Sequence, residues 1–368
     1  MPSYNSLMEN PLIKLHTLGQ RIWLDNLSRT LLKDGVLQKL VTESGLAGVT
    51  SNPTIFFKAI SESPYYRDEL AAVKRNTTLS AEQRYERLAI QDIQNACDLF
   101  HPVYVRTDGE DGYVSLEVSP SLAYDAQATV AAGLRLKAEV NRANLLIKVP
   151  ATKPGLIAIE RLIGQGCSVN VTLMFSLDHV RDVSQAYMRG MEQWLGHSGA
   201  DPRPVKSVAS VFLSRVDTMV DKKLEAIGGD ALPLRGQAGV ALAKLAYQEY
   251  KNVFGGPLFT PLAAKGVRRQ YLLWASTGAK NPAYSDVMYV EPLIGRETIN
   301  TLPDATLNAF RDHGHAALTI ENDLDRAREV FAELGRHGIL MGHVGDELQT
   351  EGLKLFQQSF DQLIALMS

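Results

Sequence analysis

Cysteine is scarce in this chain, which has only Cys97 and Cys167 among 368 residues. Two thiols are too few for the disulfide framework of a small secreted protein, and they fit a reducing compartment. Cys167 is interpreted as a buried structural thiol rather than as a nucleophile. The first ten residues also lack the basic and then apolar order of a signal peptide. These features together predict a cytoplasmic protein.

An excess of charge of one sign is missing as well. Thirty-eight Lys and Arg residues stand against 41 Asp and Glu residues, which gives a formal net charge of -3. Without a basic excess we expect no nucleic-acid partner. No apolar run reaches the roughly 18 residues that suggest a membrane span, so we expect no membrane partner.

Motifs that bind common cofactors are not found. The chain has no dinucleotide fingerprint and no Walker-type phosphate loop. His313 and His315 are a tempting metal pair, but no third ligand follows at a suitable spacing, and a surface turn is the simpler interpretation. We therefore expect neither a cofactor nor a metal.

What the chain does contain is a recurrent alternation of short β-forming runs and helical segments. Strands that alternate with helices indicate βα units with parallel pairing, and eight such units match the size of a (β/α)8 TIM barrel. The runs are Arg21–Asp25, Ala47–Asn52, Tyr113–Val118, Leu145–Val149, Ser168–Leu173, Ser207–Leu213, Tyr271–Ser276 and Val287–Glu291. The fold class is thus predicted as α/β.

Two connections depart from a regular barrel. About sixty residues separate the second and third runs, which predicts extra helices there. Only about ten residues separate the seventh and eighth runs, so we expect a single helical turn or a misplaced boundary. Helices are then predicted at Asp304–Asp312, Asn322–Gly335 and Gly345–Met367, as a C-terminal cap. The expectation is one domain over residues 1–368, with barrel strands at about 21–291 and C-terminal helices at about 303–368.

One lysine interrupts the apolar run that extends from Asn144 to Thr152. Lysine is almost never buried in a sheet without a specific role. An ammonium group out of water loses solvation, which favours the neutral amine that forms a Schiff base with a carbonyl compound. The alternative for Lys148 is an edge-strand position whose stem lies along apolar surface while the amine reaches solvent.

Polar residues recur at the carboxyl ends of these runs, where barrel enzymes build their active sites. A single such residue is usually a helix cap, but six strands that each carry one favour a site. The candidates besides Lys148 are Asp25, Asn52, Glu117, Asn170, Thr172, Ser210, Phe212 and Arg215.

These residue types fit amine chemistry on a carbonyl. Lys148 could attack a ketone carbon, while Glu117 and Thr172 hold a water molecule that shuttles protons. Asp25 is a candidate base for the hydroxyl beside the carbon–carbon bond that breaks. Asn52 and Asn170 could bind sugar hydroxyls. Arg215, with Lys280 in the following Ser276–Lys280 loop, could receive a phosphate dianion.

Four segments resemble the signatures of the transaldolase family. Gly48–Phe56 resembles its second-strand signature and Asn144–Thr152 the segment around its Schiff-base lysine. Ile22–Arg29 and Asn170–Phe175 match in kind and order, and the resemblance extends from about residue 14 to the C-terminus.

The resemblance implies a cofactor-free barrel of the pentose phosphate pathway. Such an enzyme transfers a dihydroxyacetone unit from sedoheptulose 7-phosphate to glyceraldehyde 3-phosphate, giving erythrose 4-phosphate and fructose 6-phosphate. It implies Lys148 as the Schiff-base residue, Asp25 as the acid/base for cleavage, and Glu117 and Thr172 as holders of the catalytic water. The implied substrate pocket contains Asn52, Asn170, Ser210, Phe212 and Arg215.

One segment departs from the family pattern. Many transaldolases have Ala-Ser-Phe-Arg after strand seven, whereas this chain has Ala275 and Ser276 followed by Thr-Gly-Ala-Lys. The second phosphate-binding cation would then be Lys280, which lacks the bidentate fork of arginine. The chain otherwise resembles the larger transaldolase subgroup, which includes forms fused to glucose-6-phosphate isomerase.

Two alternatives remain open from the sequence. One is a Schiff-base aldolase that releases the three-carbon unit, such as a fructose-6-phosphate aldolase, although those chains are much shorter. The other is a barrel that has lost catalysis and serves as a binding protein, which would be expected to have lost Lys148, Asp25 or Glu117. The oligomeric state is expected to be a monomer or a homodimer.

Overall fold

Eight parallel strands close into a barrel in the computed structural model, which describes residues 10–368. The order around the barrel is the order in the chain, and the first strand pairs with the eighth. The predicted TIM barrel is therefore confirmed. The N-terminal segment, on which the expectation of no signal peptide rests, lies at residues 1–9 outside the described part. The strands are β1 Gln20–Leu24, β2 Gly48–Val49, β3 Tyr113–Glu117, β4 Leu145–Pro150, β5 Val169–Met174, β6 Ser207–Phe212, β7 Tyr271–Ala275 and β8 Thr298–Leu302.

Helices surround this barrel. The α-helices are Pro11–Leu18, Arg29–Lys33, Val36–Ser44, Pro53–Glu62, Arg67–Arg75, Ala81–Arg106, Ala126–Val140, Lys153–Ile163, Leu177–Leu195, Ser214–Ile227, Ala238–Phe254, Thr260–Ala264, Asp304–His313, Leu324–Arg336 and Met341–Met367. Short 3-10 helices occur at Pro64–Tyr66, Pro120–Leu122, Gly229–Leu234 and Glu291–Leu293. Within residues 10–368, none of these helices combines the length and apolarity needed to cross a membrane.

The turn after β4 shows how the sequence determines this geometry. All six residues of β4 are buried, as expected for a parallel strand that is covered on both faces. The Thr152 hydroxyl oxygen then accepts a hydrogen bond from Gly155 N at 2.9 Å and caps the next helix. A Cβ atom at Gly155 would lie 2.0 Å from the Pro150 carbonyl oxygen, so only glycine allows this close approach. The tight turn fixes where β4 ends.

The long connection between β2 and β3 contains three helices, as predicted: Pro53–Glu62, Arg67–Arg75 and Ala81–Arg106. A buried polar cluster joins this insertion to the segment after β1. The Arg29 Nε and the Tyr66 hydroxyl each donate to the Asp92 carboxylate at 2.7 Å. Because buried polar groups are costly when unpaired, this cluster holds the inserted helices in place.

The predicted eighth strand at Val287–Glu291 is wrong, and the barrel strands extend to residue 302 rather than 291. The eighth strand is Thr298–Leu302, which pairs with β1 from Gln20 to Leu24. Val287 and Tyr289 are buried because their segment is a loop packed against the barrel. The Asn300 side chain donates to the Tyr289 carbonyl oxygen at 2.9 Å, so this loop covers the outer face of β8.

Of the three helices predicted as a cap, only the last one covers an end of the barrel. Asp304–His313 is the helix of the last βα unit, and Leu324–Arg336 packs on the helix Ala238–Phe254. Met341–Met367, here called the C-terminal helix, crosses the carboxyl end of the barrel. Its Gln349 side chain donates to the carbonyl oxygens of Ala151 at 3.0 Å and Leu173 at 3.1 Å. The C-terminal helix is thus attached to the ends of β4 and β5.

Candidate active site

A cavity of about 190 Å³ opens at the carboxyl ends of the strands. Some lining side chains lie on the strands β4, β5 and β6, and others directly follow β1, β2, β6, β7 and β8. One more comes from the C-terminal helix. The predicted site residues among them are Asp25, Asn52, Lys148, Thr172, Ser210, Phe212, Arg215 and Lys280. Glu117 and Asn170 are buried next to Lys148 in the strand register and are not among the lining residues.

Lys148 lies at the base of the cavity and is only 4% exposed. Its Nζ donates to the Ser51 carbonyl oxygen at 3.1 Å and lies 3.2 Å from Glu117 Oε2. The Phe356 ring centroid is 5.8 Å from the same nitrogen. The edge-strand alternative is wrong, because β4 pairs on both sides within a closed barrel and the amine faces the interior. The amine is therefore presented to whatever enters the cavity.

Glu117 lies beside Lys148 because the two residues are in register on β3 and β4. Burial raises the pKa of Glu117, and the charge of Lys148 and its hydrogen bond oppose this rise. Glu117 Oε1 and Thr172 Oγ1 are buried and have no hydrogen-bond partner among the described residues. Buried polar atoms seldom remain unpaired, so each of these oxygens is available to a small polar guest.

Asp25 directly follows β1 and faces the same cavity. Its Oδ1 accepts a hydrogen bond from the Thr50 hydroxyl at 2.8 Å. Burial raises the pKa of Asp25, while the positive charge of Lys148, the Thr50 hydrogen bond and the more distant cations act in the opposite direction. A carboxyl group in this environment is suited to exchange a proton with a ligand hydroxyl.

Asn170 bridges strands inside the barrel rather than lining the cavity. Its Nδ2 donates to the Ser115 hydroxyl at 3.0 Å, and its Oδ1 accepts from the Ser210 hydroxyl at 2.7 Å. Both amide atoms are thus engaged by β3 and β6. Asn52 lines the cavity, and its Oδ1 also caps the helix Pro53–Glu62 by accepting from Ile55 N at 2.9 Å.

Arg215 and Lys280 mark a positively charged end of the cavity. The Arg215 guanidinium carbon lies 5.6 Å from the Phe212 ring centroid and 5.7 Å from that of Phe356. Arg215 Nη1 is buried without a hydrogen-bond partner among the described residues, and burial lowers the pKa of Arg215. A desolvated, unpaired guanidinium is a strong site for an anion.

Sequence reasoning missed several lining residues. Thr50 is a polar residue that directly follows the second strand, and that position was a usable signal. Ser276 follows β7 in the left-handed region, with φ of 54°, and such a non-glycine conformation cannot be read from residue types. Phe356 comes from a helix more than two hundred positions after Lys148, so no local pattern indicates it.

Residues 10–368 contain no group of three or more His, Cys, Asp or Glu side chains that could hold an ion. The His313 ring contacts the carboxylates of Asp286 at 3.0 Å and Asp312 at 3.2 Å, all on the surface. These contacts raise the pKa of His313 through hydrogen bonds to the two acids.

A (β/α)8 barrel with a buried lysine amine, two carboxyl groups and a cationic end defines a class of enzyme that can act on carbonyl compounds through an amine. The sequence profile described as Transaldolase/Fructose-6-phosphate aldolase matches residues 22–367. The chain belongs to this family.

Relatives of this family match nearly the whole chain. The transaldolase of Thiobacillus denitrificans is 54% identical over 349 residues, which cover 95% of this chain and 97% of that protein. The transaldolase of Neisseria gonorrhoeae is 47% identical over 348 residues, with the same coverage of 95% and 97%. Transaldolase 2 of Nostoc is 42% identical over 367 residues, with 96% of each chain covered.

Proposed function

We propose that this family member is a transaldolase that transfers a dihydroxyacetone unit from sedoheptulose 7-phosphate to glyceraldehyde 3-phosphate. The products are erythrose 4-phosphate and fructose 6-phosphate, in the non-oxidative pentose phosphate pathway. The observation that carries this proposal is the position of the Lys148 amine. It is buried on a central strand, faces the cavity and lies 3.2 Å from the carboxylate of Glu117.

The first step is formation of a Schiff base on Lys148. The neutral amine attacks the C2 carbonyl carbon of the donor ketose, which gives a carbinolamine. Proton transfer to the new hydroxyl group lets it leave as water, and an iminium ion remains. Glu117 and Thr172 support this step because their unpaired buried oxygens can hold a water molecule that relays the proton.

The second step breaks the C3–C4 bond of the donor. Asp25 takes the proton of the C4 hydroxyl, the bond electrons move into the iminium, and an aldose phosphate leaves with its new aldehyde. The enamine that remains then attacks the aldehyde carbon of the acceptor, and Asp25 returns a proton to the alkoxide. Hydrolysis of the new iminium releases the product ketose and restores the Lys148 amine.

The other proposed site residues bind the sugar. Arg215 and Lys280 lie where a phosphate dianion at the far end of the substrate would be attracted by two positive charges. Asn52, Ser210 and Phe212 line the walls between the reactive amine and this end. Asn170 supports the pocket by orienting the Ser210 hydroxyl.

Borohydride trapping tests the proposal directly. The protein is incubated with fructose 6-phosphate and borohydride, digested, and searched by mass spectrometry for a reduced three-carbon adduct. We expect the adduct on Lys148 and none in the Lys148→Met variant. Lys206→Met is the matched control, because Lys206 is also buried and paired with a glutamate, at 2.8 Å from Glu110 Oε2. An adduct located elsewhere, or no adduct, would contradict the mechanism.

A fructose-6-phosphate aldolase is the second candidate, because the matching family profile includes both activities. The two are separated by product analysis with and without an acceptor. A transaldolase consumes fructose 6-phosphate only when an acceptor such as erythrose 4-phosphate is present. Release of free dihydroxyacetone without an acceptor would indicate the aldolase.

We further propose a cytoplasmic location and phosphorylated sugars as the only partners, with no nucleic acid and no membrane. Cell fractionation tests the location. The expected assembly is a monomer or a homodimer, and light scattering during size-exclusion chromatography distinguishes these two states.

A further inference from the structure

The loop between β7 and β8 covers residues 276–297 and carries Lys280 near its start. The Lys280 side chain is exposed and forms no hydrogen bond or ion pair with the part of the chain that the structure describes. Because the lysine side chain is flexible and has no partner, the position of its backbone determines which region the ammonium group can reach. The attachment of this loop therefore decides where the Lys280 charge lies.

Two tyrosine hydroxyl groups attach the loop to the helix Ser214–Ile227. The Tyr284 hydroxyl donates to Asp221 Oδ2 at 2.6 Å, and the Tyr289 hydroxyl donates to Asp217 Oδ2 at 2.6 Å. Asp217 and Asp221 are four residues apart, so they lie on one face of the helix. Arg215 is in the first turn of this same helix.

A third segment completes both hydrogen-bond sets. Gly236 N donates to Asp221 Oδ1 at 2.8 Å, and Gly239 N donates to Asp217 Oδ1 at 2.9 Å. Each carboxylate thus accepts one tyrosine hydroxyl and one backbone amide. Hydrogen bonds to ionised groups contribute more than neutral ones, especially where they are buried.

The glycines allow this close arrangement. A Cβ atom at Gly236 would lie 2.8 Å from Tyr284 Cζ, and φ there is 71°. A Cβ atom at Gly239 would lie 2.7 Å from Asp217 Oδ2. The loop therefore rests directly on the backbone of residues 236–239, and the two tyrosine–aspartate pairs have little freedom to shift.

We propose that Tyr284 and Asp221, supported by Tyr289 and Asp217, are positioning residues that hold the Lys280 loop in fixed relation to Arg215. Their effect is to set the affinity for the phosphate group of the sugar substrates. This inference rests on the proposed function, in which Arg215 and Lys280 bind that phosphate. Tyr284 matters most, because it is four residues from Lys280 and is the nearer of the two tyrosines along the chain. Without its hydroxyl group the stretch that carries Lys280 would be held by Thr277 at one end, whose hydroxyl donates to the Thr301 carbonyl oxygen at 2.9 Å, and by the Asp286–His313 contact and Tyr289 at the other.

The Tyr284→Phe variant tests the inference, since it removes one hydroxyl and keeps the ring. We expect about a five-fold rise in KM for fructose 6-phosphate, the effect of losing roughly one hydrogen bond, with kcat within about two-fold of the parent. The efficiency with D-fructose, which has no phosphate, should remain unchanged. Asp221→Ala removes the acceptor instead and should give at least this rise, because it also removes the acceptor of Gly236 N. Adding Tyr284→Phe to Asp221→Ala should cause no further rise.

A matched control is available elsewhere in the chain. The Tyr65 hydroxyl donates to Asp34 Oδ1 at the same 2.6 Å, but neither residue lines the cavity. Tyr65→Phe should therefore leave KM for fructose 6-phosphate unchanged.

The Lys280→Ala background separates the proposed phosphate role of Lys280 from the proposed positioning role of Tyr284. Lys280→Ala should itself raise KM for fructose 6-phosphate, and adding Tyr284→Phe to it should cause little further change. If Lys280→Ala has no effect, the proposed phosphate role of Lys280 is wrong and the positioning inference is overturned with it. If Lys280→Ala acts but Tyr284→Phe does not, only the positioning inference is overturned. An equal loss of kcat/KM with D-fructose would also overturn the positioning inference, because the Tyr284 hydroxyl would then support the whole site and not the phosphate-binding end alone.

Discussion

Replacing Lys148 by methionine removes the reactive amine and keeps most of the volume of the side chain. The variant should have no measurable turnover and should form no borohydride-reducible adduct with fructose 6-phosphate. Its stability should also fall, because Glu117 is 8% exposed and Lys148 is its ion-pair partner at 3.2 Å. The stability change tests the geometry independently of catalysis.

The size of the stability change follows from the buried charge. Removing one partner of a buried ion pair typically costs about 3–5 kcal/mol, because the other charge is left without compensation. Glu117 can avoid part of this cost by taking up a proton, since its pKa is already raised by burial. A raised pKa means that stability is lost as the pH increases. The loss should therefore be larger at pH 7.5 than at pH 5.

Urea unfolding at these two pH values measures the effect. The double variant Lys148→Met/Glu117→Gln removes both charges, so it should recover most of the lost free energy of unfolding at pH 7.5. Lys206→Met again provides the control, because it removes a buried amine at the opposite end of the barrel, from a pair whose Glu110 side chain is 33% exposed. This variant should lose stability while retaining the adduct. The reasoning is refuted if the double variant is as unstable as Lys148→Met, or if the loss does not depend on pH.

Three further outcomes are expected. Asp25→Ala should slow carbon–carbon cleavage and let the Schiff base accumulate. Intact-protein mass spectrometry after borohydride reduction would detect this intermediate. An unchanged cleavage rate would exclude Asp25 as the base. Arg215→Ala should raise KM for phosphorylated sugars by ten-fold or more, because charge-assisted hydrogen bonds are worth about 1.5–3 kcal/mol. An unchanged KM would place the phosphate-binding site elsewhere. Burial raises the pKa of Asp217 from 3.8 to about 6, so the native state binds the proton more tightly. Between pH 4.5 and 7.5 the parent protein should therefore lose about 2 kcal/mol of stability relative to the Asp217→Asn variant. Paired urea titrations measure this difference. Equal pH profiles of the two proteins would contradict a raised pKa for Asp217.

Most of the fold could be predicted from the sequence because seven of the strands consist mostly of apolar residues and are largely buried. The exception is β8, which contains Thr298, Asn300 and Thr301 and so does not resemble a buried strand. Partners outside the strand hold these side chains: the Asn300 amide donates to the Tyr289 carbonyl oxygen, and the Thr301 hydroxyl shares a hydrogen bond of 2.8 Å with the Thr50 hydroxyl. The apolar Val287–Glu291 segment resembles a strand but is a buried loop. Residue types alone could not distinguish the two.

The site was predictable where a strand end carries the side chain, as for Asp25, Lys148 and Thr172. The sequence could not indicate that Asn170 is engaged by Ser115 and Ser210 within the barrel, because that depends on which strands face each other across the interior. Nor could it place Phe356 above Lys148. Such contacts depend on how distant elements dock, and they have no local signature.

The C-terminal helix has a consequence for biosynthesis. Every strand has been made once the ribosome has passed Leu302, whereas Phe356 and Gln349 are added later. A nascent chain can therefore have its lysine in place before the helix that covers the barrel mouth exists. Docking of the C-terminal helix, which brings the Phe356 ring to 5.8 Å from that amine, is therefore the last step that completes the cavity.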